Sequence, residues 1–367
     1  MWSNERRHDL FFADLKDLRG GYLGVGGDQN YTMAAAAGAQ VLWLVDLDGA
    51  VVHMHRLYAA LLSVAGTPAE LVALLGPERK QAVSDAVAAY YPGLAPEERR
   101  AILAIYQIYR QDLAQHLRAT AEYRWGGRAV TWLGDPALYD HLRQLSVARL
   151  IVPRLGDLTG PHTVLEIAAA ARAAGVPVRT IYLSNAESWF HYGRAFRRNL
   201  GALPLDDRSV VLRTVKSEVL AYPHGDIWHY SVQRADHFAL HLQDRRYEAV
   251  DMAMLDAVPC YPATPESGAP PAATAPPAKR VPIRGLSHIG FQPADGALPT
   301  AAAPDSARAA RLQRQHEREL REKREQLLAT GLVTRPEGNR IKARQMDREL
   351  AKRAKELNPS LASQPSP

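Results

Sequence analysis

Gly21-Tyr22-Leu23-Gly24-Val25-Gly26-Gly27-Asp28-Gln29-Asn30 is the stretch whose reading decides the fold. Residues 21–24 have the length and apolar content of a short buried strand. The glycines that follow form a tight loop, and residues 30–38 read as the helix it opens. A second apolar run, 41–45, ends on Asp46, about twenty residues after Gly24, the separation that sets an acid beside the first strand. This is the ligand-binding corner of a doubly wound, mostly parallel α/β sheet. Glycine suits such a loop because a ligand must approach the backbone closely and the chain must turn with positive φ.

Two residues bear on which ligand the corner takes. A dinucleotide fingerprint would put a third glycine at position 29, which here is Gln29. Asp28 also sets a carboxylate at the helix N-terminus, where it repels phosphate and suits an ammonium group. S-adenosylmethionine carries an ammonium group, a ribose diol for Asp46 and no phosphate. Asp28 as a plain helix cap is the structural alternative.

The 367 residues suffice for one or two domains with a sizeable core, and no run approaches the eighteen or so apolar residues of a membrane span. The N-terminus lacks an apolar signal region, and the single cysteine, Cys260, rules out an internal disulfide framework. A reducing, cytoplasmic setting is expected. From Ala301 onward there are 15 basic and 9 acidic residues, so the tail carries the whole formal charge of +6 while the preceding body is balanced. The basic pI is therefore no sign that the body binds nucleic acid.

Residues 1–257 are expected to form one α/β domain, with a helical insertion at 67–127. A Pro/Ala-rich linker spans 258–304, and a charged helical or disordered tail spans 305–367. Charged helical stretches are expected at 305–329 and 340–357, and a more apolar island lies at 281–291. A helix follows Asp46 over 51–64. After the insertion come a strand at 149–152, a helix at 163–175 and strands at 178–183 and 209–213. A last strand pair is expected near 227–232 and 247–250.

The order of glycine loop, acid after strand two, Gly156-Asp157 after strand three and Ser184-Asn185-Ala186-Glu187 after strand four resembles the class I S-adenosylmethionine-dependent methyltransferases. The resemblance covers roughly 20–50 and 148–232. It implies a Rossmann-like methyltransferase fold in which Gly24, Gly26 and Gly27 underlie the amino-acid end of the cofactor and Asp46 binds the ribose hydroxyls. It further implies that Asp157 contacts the adenine amino group and Asn185 a substrate or cofactor. The strings at 22–31, 156–161 and 182–187 are similar to a family of uncharacterised bacterial proteins related to these enzymes. Departures from the methyltransferase pattern are Tyr22, where those enzymes usually carry an acid, Asp28 in place of the third loop glycine, and the large insertion between the second and third strands.

Ser184-x-x-Glu187 also has the form of a capping box, and Asp157 could open a turn with Gly160-Pro161. His237 and His241 share a helical spacing, but no third ligand accompanies them and no metal site is expected. His53 and His55, two apart, face different ways on a helix. Arg194, Arg197, Arg198 and Arg213 lie near strand ends and could hold an anionic substrate, or the first three could simply be a solvated face. The expected function is methyl transfer to an unidentified substrate, with the insertion covering the site. Aminocarboxypropyl transfer from the same cofactor, or a non-catalytic ligand-binding scaffold, are the alternatives. The tail is expected to contact acidic surfaces or RNA weakly.

Overall fold

The computed structural model describes residues 3, 5–215, 228–247, 250, 253 and 257–260, together with 322, 325, 326 and 329. The linker beyond 260, the island at 281–291, the helix at 340–357, His224 and most of the tail lie outside the described residues. The four tail positions are helical and exposed, within the helix expected at 305–329.

The sheet has seven strands in the order β5-β2-β1-β6-β7-β8-β9. The first four in the chain's α/β pattern are β1 (Gly21–Val25), β2 (Val41–Asp46), β5 (Ile151–Leu155) and β6 (Val178–Ser184). With β7 (Val210–Val215) they form a parallel block; β8 (His229–Arg234) and β9 (Val258–Pro259) each run antiparallel to the strand before them. The chain steps outward in one direction from β1 to β2 and β5, then returns to the other side of β1 with β6, so the order reverses between β1 and β6.

Both faces of the sheet are covered, which is why these strands read as continuous apolar runs rather than alternating ones. Side chains nonetheless alternate between two cores, as the strand period requires. Tyr22, Leu42, Leu44, Tyr182 and Leu212 enter one core with α1 (Phe12–Leu15), α2 (Gln29–Ala36), α3 (Gly49–Val64), α5 (Lys80–Tyr90), α6 (Pro96–Glu122) and α7 (Pro136–Val147). Leu23, Trp43, Val45, Ile181 and Val211 enter the other, against α8 (Thr163–Ala173), α9 (Arg194–Gly201) and α10 (Ala235–His241).

The insertion is helical as expected through α4 (Pro68–Ala73), α5 and the 27-residue α6. It does not stay helical to residue 127. Arg124–Trp125 (β3) and Arg128–Ala129 (β4) pair as a hairpin across Gly126 and Gly127, whose φ values of +54° and +74° suit a two-residue turn. Among the described residues of the strand expected at 247–250, Tyr247 has no regular structure and Val250 is helical. The last strand is β9, held to β8 with the Cys260 amide donating to the Tyr230 carbonyl at 3.0 Å. It lies just beyond the boundary expected at 257. No helix among the described residues is long and apolar enough to cross a membrane.

Candidate functional site

The carboxyl ends of β1, β2, β5 and β6 meet where the strand order reverses, the crevice in which open α/β sheets generally bind ligands. The glycine loop lies there, and its internal wiring is specific. A Cβ at Gly24 would sit 1.9 Å from Asn30 Oδ1 and 2.6 Å from the Tyr22 ring. Position 24 is glycine because the buried Asn30 side chain occupies that space. Asn30 Nδ2 donates to the carbonyls of Val25 (2.9 Å) and Gly27 (2.8 Å), while its Oδ1 accepts from the Tyr22 hydroxyl at 2.9 Å. Tyr22 therefore braces the loop.

Gly26 has φ +87°, so it alone in the loop needs the left-handed freedom of glycine. Its carbonyl accepts from His55 Nε2 at 2.8 Å, and His55 Nδ1 accepts from the Tyr31 hydroxyl at 3.0 Å. Burial pushes His55 down to about 4, so the ring is neutral, with one nitrogen donating and the other accepting. The Gln29 amide lies over Gly26, and its Oε1 is buried without a partner among the described residues.

Asp28 does not cap α2 with its side chain. Both of its carboxylate oxygens lie 2.9 Å from His116 Nε2, on α6 of the insertion. Asp28 is 3% exposed. Burial alone would raise its carboxyl, but the charge and hydrogen bond of His116 outweigh it and hold the carboxyl below the ordinary range. The helical insertion is thus tied directly to the glycine loop. No sequence signal links residues 88 positions apart, which is why the sequence shows Asp28 but not the His116 it meets.

Asp46 closes β2 beside this loop. Its Oδ1 accepts from the Asp48 amide at 2.7 Å, and the Gly26 backbone lies near enough to favour the charged carboxylate. Burial pushes it up to about 6, aided by the neighbouring Asp48. Asp46, Gly26, Gly27 and Asp28 are therefore one cluster. Asp157 stands at the end of β5, where its Oδ1 accepts from Thr159 N (2.8 Å) and Thr159 Oγ1 (2.7 Å) and its carbonyl accepts from Gly160 N. The turn expected there is made. Asn185 follows β6 as a half-buried residue that opens a short 3₁₀ turn, Ala186–Trp189, whose Trp189 is 78% exposed.

The capping-box reading of Ser184 and Glu187 is overturned. Ser184 (φ +50°) donates to Glu5 Oε1 at 2.8 Å, while Glu187 is fully buried against Arg213 (2.6 Å) and the Tyr192 hydroxyl (2.6 Å). Glu5 also accepts from Tyr182 and His8, so the N-terminal segment is fastened over the end of β6. Of the arginines considered for an anionic substrate, Arg213 is spent on Glu187 and Gln233, and Arg197 on the carbonyls of Tyr192, Leu242, Asp244 and Tyr247. Among the described residues no three His, Cys, Asp or Glu side chains converge as metal ligands.

Beside Asp46, α3 and α6 enclose a pocket of about 250 Å³ lined by Gly49, Val52, His53, Glu98, Ala101 and Leu155. His53, which burial pushes down to about 4, presents a buried Nδ1 without a partner among the described residues. His53 and His55 do face different ways, the first into this pocket and the second under the loop.

A mostly parallel seven-stranded sheet with helices on both faces and a glycine–acid corner at its carboxyl end defines the class: a mixed α/β domain. A family described as a domain of unknown function, DUF7790, matches residues 1–263, and the chain belongs to it. No curated protein matches the chain.

Proposed function

We propose that this domain is a Rossmann-like S-adenosylmethionine-binding transferase of the class I methyltransferase type, most simply a methyltransferase acting in the cytoplasm. The observation that carries this reading is the juxtaposition of the Asp46 carboxylate with the Gly26 backbone at the reversal of strand order. The ribose end fits best: Asp46 would accept the two sugar hydroxyls, with Gly26 and Gly27 beneath. Asn185 and Asp157 border the same crevice from β6 and β5 and would complete the cofactor contacts, and α6 would cover them. Bound S-adenosylmethionine supplies an electrophilic methyl group. The chain's own part is to orient the acceptor and exclude water, with the His116–Asp28 contact tying the helical insertion to the loop.

Calorimetry of the full chain with S-adenosylmethionine and its demethylated product tests the reading. Binding is expected, with Asp46→Ala weakening it by about 1.5–3 kcal/mol, the range for a charge-assisted hydrogen bond. Changes at His237 or His241 are expected to have no comparable effect. Absence of binding by either compound at millimolar concentration would sink the idea.

A second reading, a non-catalytic ligand-binding scaffold, is favoured by one observation. Asn30 fills the space above Gly24 and His116 occupies Asp28, so two of the contacts expected at the amino-acid end of the cofactor are made inside the protein. Aminocarboxypropyl transfer from the same cofactor is separated from methylation by product mass.

A further inference from the structure

One edge of the sheet is β5, which among the described residues pairs only with β2. Along it runs a groove of about 430 Å³, a size within the usual range for small-molecule sites. Its walls include Arg56, Arg149 and Arg154, with Tyr90 and Tyr91 meeting edge to face at 4.7 Å, and none of its lining residues is acidic. Arg56 is paired with Glu98 at 2.9 Å. Arg149 is held by a left-handed backbone (φ +59°), by the Ala89 carbonyl at 3.2 Å and by the Tyr90 ring at 5.7 Å, with no carboxylate partner among the described residues. Arg154 is exposed and makes no ion pair among the described residues. Two guanidiniums without a carboxylate partner among the described residues thus line one concave groove on a body that is formally neutral.

The groove's backbone disfavours a peptide strand as occupant. Leu150 accepts from Leu42 and Gly156 donates to Asp46, so alternate residues 150, 152, 154 and 156 bond to β2, and 151, 153 and 155 face the open edge. Position 153 is proline, so the middle donor of that edge is missing and a strand cannot add in continuous register.

We propose that this groove is a binding site for a soluble phosphate-bearing small molecule of nucleotide size, gripped by Arg154 and Arg149, whose forked donors match phosphate oxygens in pairs. The site is independent of the cofactor assigned to the glycine loop, and failure of S-adenosylmethionine to bind leaves it intact.

The test is calorimetric titration of the full chain with inorganic pyrophosphate and with a nucleoside monophosphate at low ionic strength. Arg154→Glu and Arg149→Asn are the groove variants, asparagine being chosen because it tolerates the left-handed backbone. Arg246→Ala, an exposed arginine elsewhere, is the control. Saturable one-site binding is expected, weakened about tenfold or more by each groove change and unaffected by the control. Melting curves would show that the variants remain folded. Non-saturable binding, binding that survives both groove changes, or an equal loss in the control would each overturn the proposal, since the last two place the anion on the basic tail or on charge in general.

Discussion

Asn30 shows how a single buried amide decides what a glycine loop means. In sequence, Gly24 looks like room for a ligand; in the folded protein that room holds an amide satisfying two loop carbonyls and a tyrosine hydroxyl. Asp46, by contrast, stands where its spacing from the loop implied, and its environment yields a pH prediction. Its folded pKa, pushed up to about 6 by burial, lies above its unfolded value near 3.8. The folded state therefore holds this proton more tightly, and the stability so gained is present below pH 4 and lost as pH rises through 6. Asp46→Asn is expected to stabilise the protein by about 1–3 kcal/mol at pH 7.5 and to change little at pH 4. Urea denaturation at the two pH values would show it, and an equal effect at both would refute it. On the proposed function, losing this carboxylate would weaken cofactor binding while strengthening the fold, the usual trade at a functional site.

Among the elements, the strands of the parallel block were legible because burial on both faces leaves near-continuous apolar runs bounded by glycine and polar residues. The β3–β4 hairpin was not, because four paired residues around Gly126-Gly127 carry too little pattern to interrupt a helical reading. β9 was missed for a similar reason: two residues of strand give no periodicity, and only pairing with β8 makes Val258 part of the sheet. A chain ending at 263 is expected to unfold with unchanged cooperativity. A chain ending at 257 loses the β8 pairing and the packing of Val258, costing about 1–3 kcal/mol. Thermal melts of the two lengths would decide, and identical midpoints would make β9 dispensable.

At the scale of the whole molecule, charge separates body from tail. The body is formally neutral, and the surplus of six positive charges lies beyond residue 300. Weak, salt-sensitive association of the full chain with RNA is expected, with a log–log salt slope no steeper than about −4 for single strands. A chain ending at 263 should lose it. Fluorescence anisotropy with a labelled oligonucleotide measures both, and undiminished binding by the shorter chain would move the RNA contact onto the body.

The amino-acid sequence by itself determined the α/β order, the glycine loop, the acid at Asp46 and the placement of charge, because each rests on local periodicity, turn chemistry or simple composition. Only the tertiary structure decided what the loop's residues touch. Asp28 meeting His116, Glu187 meeting Arg213 and Glu5 reaching Ser184 are pairings over 88, 26 and 179 residues. Such pairings follow from how helices pack on the sheet, and a buried charge takes whichever partner that packing delivers.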